Sequence, residues 1–355
     1  MSNALPQGAV IGILGGGQLG RMLAVAAARI GLVAHIYDAS PDAPAGQVAA
    51  LTCGAWDDAE ALSRFAEAAD VITYEFENIP AEALDIVEAR CPVRPGRNAL
   101  TTSQDRLTEK KFLTGLGLDL APFAPVSNRA SLDEALAKTG APAILKTRRF
   151  GYDGKGQARI MALGDADDAF ATMAGADAVL EGFVTFTHEV SVIAARGLDG
   201  AVAAYDPGEN HHVDGILRRT TVPAKLTPNQ CSDAVLIGAR ILNALDYVGV
   251  LGVELFVTAQ GLVVNEIAPR VHNSGHWTQN GCVIDQFEQH IRAIAGWPLG
   301  DGSRHSNVVM ENLISDDVDR LSEIAKEPAA LHMYGKAAPR PGRKMGHVNR
   351  ITGPA

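Results

Sequence analysis

The stretch GVLGVELFVTAQGLVVNEIAPR, residues 249–270, contains two apolar, β-branched runs on either side of a polar turn near residues 259–261. This pattern predicts a β-hairpin. Glu254 lies in the first run and Glu266 in the second, at similar distances from the turn. The two carboxylates are therefore predicted to face each other, within about one residue of register.

Two facing carboxylates among Val, Leu, Phe and Ile repel each other and are unfavourable to remove from water. A divalent cation relieves both effects, and Mg²⁺ is the one that proteins bind through carboxylates together with substrate phosphates. Asn265, beside Glu266, is a candidate for one further ligand. The alternative, two glutamates on a solvent-exposed face, fits poorly with the apolar neighbours. The hairpin therefore predicts a magnesium site.

The hairpin leads directly into the polar segment IAPRVHNSGHWT. This segment places a cation, imidazoles and hydrogen-bonding groups next to the predicted metal: Arg270, His272, Asn273, Ser274 and His276. A polar loop by itself is usually only a connection. Its position after the metal hairpin predicts an active-site segment.

A second glycine-rich segment, RRFGYDGKGQ (148–157), joins two predicted strands, and Lys146 lies just before it. The pattern of a Walker A loop is absent, and strands flank the segment on both sides. A glycine-rich hairpin can still fold its backbone N–H groups over a polyphosphate. Lys146 would then supply a point charge for phosphate oxygens. The alternative is a solvated β-turn with a basic rim.

Near the start of the chain, AVIGILGGGQLGR contains Gly15, Gly17 and Gly20 in the spacing G-x-G-x-x-G, with Asp38 about twenty residues further on. A tight turn from a strand into a helix exposes backbone N–H groups that favour an anion. The motif indicates a phosphate or a carboxylate, and three interpretations stay open: a structural turn, a phosphate site of another kind, or NAD. No second crossover half follows, which disfavours a dinucleotide fold.

Secondary-structure patterns change along the chain. Up to about residue 100, apolar strands alternate with helices, which predicts a parallel sheet covered on both faces. Hairpins interleaved with helices follow and predict an α+β unit. A short last unit begins near residue 298 and contains the segment RPGRKMGHVN.

The composition limits the functional classes. The chain has 355 residues and a formal net charge of -10, which argues against non-specific binding to nucleic acid or to anionic membranes. Its four cysteines show no C-x-x-C spacing, so free thiols in a reducing cytoplasm are expected. The apolar run 9–14 is too short to span a membrane and has no cationic leader, so no signal peptide or membrane segment is expected.

Together these segments resemble the ATP-grasp enzymes, with their lysine strand, glycine-rich hairpin, EGFV segment and paired glutamates ending in N-E. The resemblance is closer still to the N5-carboxyaminoimidazole ribonucleotide synthetases, and it extends from about residue 9 to 350. It is carried by the segments GGGQLGRM, YEFENIP, GYDGKGQ, HHVDGILRRT, NEIAPRVHNSGHWT and RPGRKMGHVN.

The resemblance implies an α/β N-terminal domain with a parallel sheet (pre-ATP-grasp), an α+β ATP-grasp domain and a small C-terminal β-rich domain. The expected bounds are 1–102, 103–297 with a small lid at about 110–183, and 298–355. It also implies a cytoplasmic homodimer.

The implied reaction is a carboxylation by a ligase of purine biosynthesis. Bicarbonate attacks the γ-phosphate of ATP, with magnesium, to give carboxyphosphate, and the amine N5 of 5-aminoimidazole ribonucleotide then receives the carboxyl group. The nearest alternative is another ATP-grasp carboxylase, or a formate-dependent enzyme acting on a related ribonucleotide. Two more distant alternatives are an NAD dehydrogenase and a nucleotide-binding regulator without catalysis.

The resemblance also assigns roles to residues. The residues implied to bind ATP are Arg106, Lys146, the loop Gly151, Tyr152, Asp153, Gly154, Lys155, Gly156 and Gln157, the adenine linker Glu181, Gly182, Phe183 and Val184, then Glu189, His212, Asn265 and Glu266. The implied metal ligands are Glu254 and Glu266. Lys155 stands where arginine is equally expected, and it offers one donor in place of a fork.

The ribonucleotide and the reacting groups have their own implied set. The residues implied to bind the substrate are Gly17, Gln18, Leu19, Glu75, Asn273, Ser274, Lys336, Arg343 and Lys344, the last three supplying charge for its phosphate. The implied catalytic residues are Arg270, His272, Tyr152 and Asp153. In this interpretation the first glycines hold the ribonucleotide, ATP lies between the later hairpins, and Asp38 binds no NAD ribose.

Overall fold

The computed structural model describes residues 4–151 and 155–355. The sequence-based assignments for Tyr152, Asp153 and Gly154 therefore lie outside the described residues. None of the helices in the described part of the chain has the length and apolar character that a membrane crossing requires.

Helices and strands are distributed along the whole described chain. The α-helices are α1 (Gln18–Arg29), α2 (Ala59–Glu67), α3 (Ala81–Glu88), α4 (Arg97–Ser103), α5 (Arg106–Gly115), α6 (Arg129–Thr139), α7 (Ala166–Thr172), α8 (Pro228–Ala244), α9 (Thr278–Gly281), α10 (Gln286–Ile294) and α11 (Leu321–Ile324). Short 3-10 helices lie at Pro44–Gln47, Leu163–Asp165, Asn273–Gly275 and Ser315–Arg320.

The strands are β1 (Val10–Leu14), β2 (Val33–Asp38), β3 (Ala50–Cys53), β4 (Val71–Tyr74), β5 (Phe123–Val126), β6 (Ala143–Thr147), β7 (Gln157–Ile160), β8 (Ala178–Gly182), β9 (His188–Arg196), β10 (Val202–Ala204), β11 (Gly208–Val213), β12 (Ile216–Val222), β13 (Gly249–Thr258), β14 (Gly261–Ala268), β15 (Ser306–Ile314), β16 (Ala330–Met333) and β17 (Lys344–Pro354).

The first unit is a parallel sheet in the order β3-β2-β1-β4, which confirms the prediction from the alternating pattern. Buried apolar residues lie on both faces of β1, because successive side chains of a strand point to opposite faces. β1 and β4 are neighbours, so the residues that follow their carboxyl ends meet. This arrangement brings the glycine turn after β1 close to Glu75, which follows β4.

A separate antiparallel sheet has the order β5-β8-β6-β7 and packs against α6 and α7. β6 and β7 form the hairpin that the sequence predicts around the glycine-rich loop, and Lys146 pairs with Gln157 across it. The strands of this sheet lie within residues 110–183, the range in which the resemblance implies a lid. The loop itself begins at Gly151, beyond the end of β6.

The largest sheet has the order β14-β13-β9-β11-β12-β15-β17-β16, with β10 on the outer part of β9. The strands of the last unit, β15 to β17, continue this sheet through the pairing of β12 with β15. The C-terminal unit therefore shares its hydrogen-bonded sheet with the preceding one. A structural consequence is that the segment after β16 reaches the first unit, where Gln47, at the end of a 3-10 helix, donates to the carbonyl of Gly335.

One core connects the first unit to the large sheet. Leu23 on α1 belongs to the same buried cluster as Ile291 on α10 and Trp277, which precedes α9. The polar segment after β14 is anchored in this core through Val271 and Trp277. All four cysteines are free thiols in the structure, as expected.

Candidate active site

The paired glutamates of the β13–β14 hairpin form the centre of the site. Glu254 and Glu266 are direct register partners, which confirms the predicted apposition. The register shifts between Glu254 and Leu255, so that Asn265 has no partner and forms a bulge beside Glu266. A bulge bends its strand and redirects neighbouring side chains. It therefore helps to determine where the Glu266 carboxylate points.

The pKa values of the two carboxyl groups are shifted in opposite directions by their surroundings. Burial and the facing Glu266 raise the pKa of Glu254. Burial also opposes ionisation of Glu266, but Arg106 and Lys146 outweigh it and lower its pKa. Opposite charge close to a carboxylate favours the ionised form. Glu266 is thus the more readily ionised member of the pair, and a bound cation would favour the ionised form of Glu254.

Arg106, at the first position of α5, connects this pair to the glycine-rich loop. Its Nη1 lies 2.9 Å from Glu266 Oε2, and its Nη2 donates to the carbonyl of Gly151 at 3.0 Å. The side chain of Asp105 caps α5 by accepting from the N–H groups of Leu107 and Thr108. The cap determines where α5 begins and hence where Arg106 stands.

Lys146 contacts a carboxylate that is itself one of the predicted ATP-binding residues. Its Nζ lies 2.9 Å from Glu181 Oε2, and Lys110 Nζ lies 3.2 Å from Glu181 Oε1. All three side chains are buried. Sequence reasoning missed Lys110 and also Glu109, whose Oε1 accepts from the N–H of Ile267 at 2.6 Å. The spacing of three and four residues from Arg106 on one helix is the signal that could have found them.

The predicted adenine linker follows β8. The N–H of Gly182 donates to Pro122 and that of Phe183 to Pro142, and the Phe183 side chain is exposed. Val184 is half-buried. The linker thus joins the smaller sheet to the large one, with Glu181 buried at the end of β8 and the side chain of Phe183 exposed.

The predicted ribose ligand Glu189 lies on β9, where its Oε2 is 2.7 Å from His212 Nδ1 on β11. Burial alone would lower the pKa of His212, but the contact with Glu189 raises it. Glu189 also faces Phe256 of β13 in register, two residues beyond Glu254. The two predicted nucleotide ligands and the metal pair therefore share one region of the large sheet.

Arg270 forms a fork with a residue that sequence reasoning did not select. Its Nε lies 2.6 Å from Glu77 Oε2 and its Nη2 3.3 Å from Glu77 Oε1. Glu77 comes two residues after Glu75 in YEFENIP, and that proximity was the available signal. The pair holds the Arg270 guanidinium in place between the first unit and the metal hairpin.

His272 lies next to the metal pair, with Nε2 3.4 Å from Glu254 Oε1. Burial and the neighbouring Arg270 lower the pKa of the imidazole to about 3, so the ring is neutral at pH 7. Its backbone is held by the side chain of Gln286, which accepts from the N–H and donates to the carbonyl.

The two residues after His272 are buried. Asn273 exchanges a pair of amide hydrogen bonds with Asn312 on β15, each of 2.9 Å. Ser274 has its hydroxyl between Ser191 and His272. His276 is also buried and bonded to Gln286. Their side chains thus face the protein interior in this structure.

The glycine turn holds an anion, and that anion is supplied by the protein. Glu75 accepts from the N–H of Gly17 at 2.7 Å and from the N–H of Gly20 at 2.8 Å. Asp38 accepts from the N–H of Gly16 at 2.6 Å. The sequence left open a phosphate or a carboxylate, and in this structure carboxylates engage these backbone groups. Leu19 packs into the core.

Of the predicted phosphate-binding cations of the last unit, Lys336 lies beside this turn. Lys336 Nζ lies 2.5 Å from Gln18 Oε1 and 2.7 Å from the carbonyl of Lys344. Arg343 donates to the carbonyl of Ala338 and is half-buried. The structure therefore brings Lys336 to Gln18, although more than three hundred residues separate the two in sequence, and the backbone carbonyl of Lys344 holds the same ammonium group.

The last three residues of the predicted ATP-binding loop are exposed to solvent. Lys155, Gly156 and Gln157 are exposed, and the carbonyl of Gly156 accepts from the N–H of Thr147.

Among residues 4–151 and 155–355, no group of three or more His, Cys, Asp or Glu side chains converges as a metal cluster. Two carboxylates are nevertheless the protein ligands that Mg²⁺ needs when phosphates complete its shell. The Glu254–Glu266 pair therefore fits Mg²⁺ bound together with a nucleotide.

Comparisons with known proteins agree with this arrangement. Three family models match in succession: the ribonucleotide synthetase preATP-grasp domain at residues 9–104, the ATP-grasp domain at 111–287, and the phosphoribosylaminoimidazole carboxylase C-terminal domain at 308–353. The chain is 53% identical over 353 residues to the N5-carboxyaminoimidazole ribonucleotide synthase of Brucella melitensis, and the match covers 98% of each chain.

Solved structures show the same fold. The N5-carboxyaminoimidazole synthetase of Staphylococcus aureus complexed with ADP has a TM-score of 0.94 and 38% identity, covering 99% of this chain and 95% of that one. The N5-carboxyaminoimidazole synthase of Aspergillus clavatus, in complex with ADP and 5-aminoimidazole ribonucleotide, has a TM-score of 0.90 and 29% identity, covering 98% and 94%.

Proposed function

The chain belongs to the N5-carboxyaminoimidazole ribonucleotide synthases, ligases of the ATP-grasp superfamily, and on this basis we propose its reaction in detail. It carboxylates the N5 amine of 5-aminoimidazole ribonucleotide, with consumption of ATP and bicarbonate, in purine biosynthesis. The observation that carries this proposal is the register pairing of Glu254 with Glu266, with Arg106 and Lys146 lowering the pKa of Glu266.

The reaction divides into two transfers. A bicarbonate oxygen attacks the γ-phosphorus of ATP, the bond to the bridging oxygen breaks, and ADP leaves with that electron pair. The resulting carboxyphosphate then transfers its carboxyl group to the N5 amine. The amine loses a proton, and inorganic phosphate leaves. Both transfers depend on holding anions in fixed positions rather than on a protein nucleophile.

The residues of the large sheet and the lid suit the first transfer. Arg106 and Lys146 would contact the polyphosphate, and Glu189 would accept from the ribose hydroxyls. The linker from Glu181 to Val184 would bind adenine through backbone groups. Asn265 and Glu266 stand where the phosphates would meet the metal. Mg²⁺, held by Glu254 and Glu266, would neutralise charge on the β- and γ-phosphate oxygens.

The second transfer belongs to the region between the hairpin and the glycine turn. Arg270 and His272 lie beside the metal pair, and Glu75 and Gln18 lie at the turn. Lys336, Arg343 and Lys344 suit the phosphate of the ribonucleotide, since a dianion favours several cations. We assign the amine and bicarbonate to the space near Arg270 and His272.

The decisive experiment measures ADP release with 5-aminoimidazole ribonucleotide, with and without added bicarbonate. ADP formation that needs both compounds is the expected result. ADP formation that needs formate and ignores bicarbonate would support the formate-dependent alternative. ADP formation that does not depend on the ribonucleotide would overturn the proposed substrate.

The metal assignment is tested by Glu266→Gln. Loss of one charged ligand misplaces the β- and γ-phosphates, so we expect ADP formation to fall by at least about a hundredfold at any Mg²⁺ concentration. The matched control is Glu209→Gln, on the neighbouring β11 and bonded to the N–H of Lys225. Near-normal turnover of Glu266→Gln at saturating Mg²⁺ would show that the pair does not hold the metal.

We also propose that the protein acts as a homodimer, which the family resemblance supports. Light scattering on the purified protein should give twice the chain mass of 37.3 kDa. A mass equal to one chain across the micromolar range would contradict this.

A further inference from the structure

The imidazole of His272 receives two hydrogen bonds on the same ring nitrogen. Nδ1 lies 2.8 Å from Ser274 Oγ and accepts from the backbone N–H of Ser274 at 3.4 Å. A backbone N–H can only donate. Nδ1 must therefore be the unprotonated nitrogen of the ring, and the hydroxyl of Ser274 must donate to it as well.

This direction propagates through a buried chain of side chains. Because Ser274 donates to the ring, its oxygen accepts from Ser191 Oγ at 2.6 Å. Ser191 in turn accepts from Asn210 Nδ2 at 3.0 Å, and Asn210 Oδ1 accepts from Thr220 Oγ1 at 2.9 Å. In each link of this chain the donated hydrogen thus points toward His272. Each link pairs one donor with one acceptor.

The chain is built into the large sheet and is sealed from solvent. Ser191 lies on β9, Asn210 on β11 and Thr220 on β12, three neighbouring strands. Ser274 is 1% exposed and the other three are also buried. Buried polar groups without partners are costly, so the chain persists only in a fully satisfied direction. The large sheet therefore imposes one tautomer on His272.

We propose that His272 works as a neutral hydrogen-bond donor through Nε2–H, and that Ser274 and Ser191 are positioning residues that enforce this form. Nε2 faces the reaction region, 3.4 Å from Glu254 Oε1. An N–H there can donate to an anionic oxygen of bicarbonate or carboxyphosphate, whereas proton removal from the amine would need a lone pair at Nε2. This inference rests on the proposed function and assigns Ser274 a role through His272 instead of direct contact with the substrate.

The tautomer can be measured without any activity assay. Wild-type protein labelled with ¹⁵N-histidine is examined by long-range ¹H–¹⁵N correlation spectra at neutral pH, and His272 is assigned by the signal that disappears in His272→Gln. The expected pattern is that of a neutral ring protonated on Nε2. A ring protonated on Nδ1, or a doubly protonated ring, would overturn the proposal.

The positioning role is tested with Ser274→Ala and Ser191→Ala. The backbone bond that remains on Nδ1 is long, at 3.4 Å, and holds the tautomer weakly without the hydroxyl. We therefore expect each variant to mix the two tautomers in the spectrum and to lower kcat by at least about tenfold, with the KM for ATP changed less than about twofold. The matched control is Thr73→Val, which removes another buried hydroxyl bonded to a histidine ring, at 2.8 Å from His290 Nε2. The Michaelis constants and the spectra together separate this role from a general loss of stability.

The outcomes distinguish the positioning role of the serines, the tautomer of His272 and the proposed function from one another. Wild-type kcat in both serine variants, or losses no larger than that of Thr73→Val, would overturn the positioning role. A wild-type protein that shows the Nε2–H form but makes no product from 5-aminoimidazole ribonucleotide would overturn the proposed function and leave the tautomer standing.

Discussion

Glu75 acts as a cap on the first helix. Its two carboxylate oxygens take up the N–H groups of Gly17 and Gly20, where the helix dipole favours negative charge. A ribonucleotide that binds at this turn must therefore meet a carboxylate already in place. We expect neutral or cationic groups of the ribonucleotide to lie next to Glu75, and its phosphate to bind the cations Lys336 and Lys344.

A substitution at Gly17 tests whether this turn serves the ribonucleotide or ATP. A Cβ added at Gly17 would overlap Glu75 Oε1, so Gly17→Ala must displace that carboxylate. We expect the dissociation constant for 5-aminoimidazole ribonucleotide to rise at least about tenfold, equivalent to about 1.4 kcal/mol, while the affinity for ATP holds. The measurement is calorimetric titration with each ligand.

The matched control for Gly17→Ala is Gly96→Ala, because a Cβ there meets no atom within 4 Å. Loss of ATP affinity in Gly17→Ala, with unchanged ribonucleotide binding, would mean that the two ligands have been assigned to the wrong sites.

Glu109 is a buried carboxyl group beside the metal hairpin, and it makes stability depend on pH. Burial and the nearby Glu266 raise its pKa from 4.5 to about 8. Between these values the folded protein keeps a proton that the unfolded chain releases. The free energy of unfolding therefore falls as the pH rises through this window, by up to about 1.4 kcal/mol per pH unit.

Glu109→Gln removes this titration and keeps an oxygen for the N–H of Ile267. We expect the variant to be more stable than wild type at pH 8, with the difference shrinking toward pH 5. Unfolding midpoints are compared at the two pH values with a chelator present, and Glu134→Gln on the exposed face of α6 is the control. A stability difference that does not change with pH would contradict the assignment.

At the scale of elements, α5 connects the two halves of the nucleotide site. Arg106, Glu109 and Lys110 lie at spacings of three and four residues, so they share one face of the helix. Arg106 contacts Glu266, Glu109 holds the backbone after it, and Lys110 contacts Glu181 on the smaller sheet. One face of α5 thus contacts both the β13–β14 hairpin and β8 of the smaller sheet.

Lys110→Met tests this link. Without Lys110 the buried Glu181 carboxylate loses one of its two lysine contacts, and we expect it to hold Lys146 more tightly and away from the phosphates of ATP. The dissociation constant for ATP should rise about tenfold. The control is Lys111→Met, because Lys111 is the next residue on α5 and is exposed. Equal ATP affinities for the two variants, measured by calorimetry, would exclude Lys110 from the nucleotide site.

At the scale of the whole molecule, the first unit and the large sheet are joined through α1 and α10. Arg29 contacts Asp285 at 2.6 Å and Glu288 at 2.8 Å. Thr73 meets His290, which also accepts from the N–H of Val250. The glycine turn and the metal hairpin therefore keep a fixed relation, as a reaction between two bound substrates requires.

Arg29→Met tests the strength of this junction. Asp285 and Glu288 are buried, so removing Arg29 leaves carboxylates short of a cation, and we expect a loss of about 2 kcal/mol in the free energy of unfolding. The loss stays below that for a fully buried pair because Arg29 is 47% exposed. The control is Arg64→Met, which breaks an exposed pair with Glu60 and should cost under about 1 kcal/mol. Equal unfolding midpoints for the two variants would contradict the junction.

Local patterns in the sequence were sufficient for part of the site. The short turn of the hairpin determines the register of its strands, so the apposition of Glu254 and Glu266 could be predicted from their distances to the turn. The glycine-rich loop between β6 and β7 and the parallel sheet of the first unit follow from patterns of the same short range. These features were predictable because the residues concerned lie within one hairpin or one repeating unit.

The partners that complete the site come from distant parts of the chain. Glu77 and Arg270 are 193 residues apart, and Ser191 and Ser274 are 83 apart. No local spacing relates such residues, because only sheet order and helix packing bring them together. The sequence by itself determined the ligand-bearing hairpins and the family; the tertiary structure alone decided that a carboxylate caps the glycine turn and that buried serines orient His272, since both depend on which buried polar groups must satisfy one another.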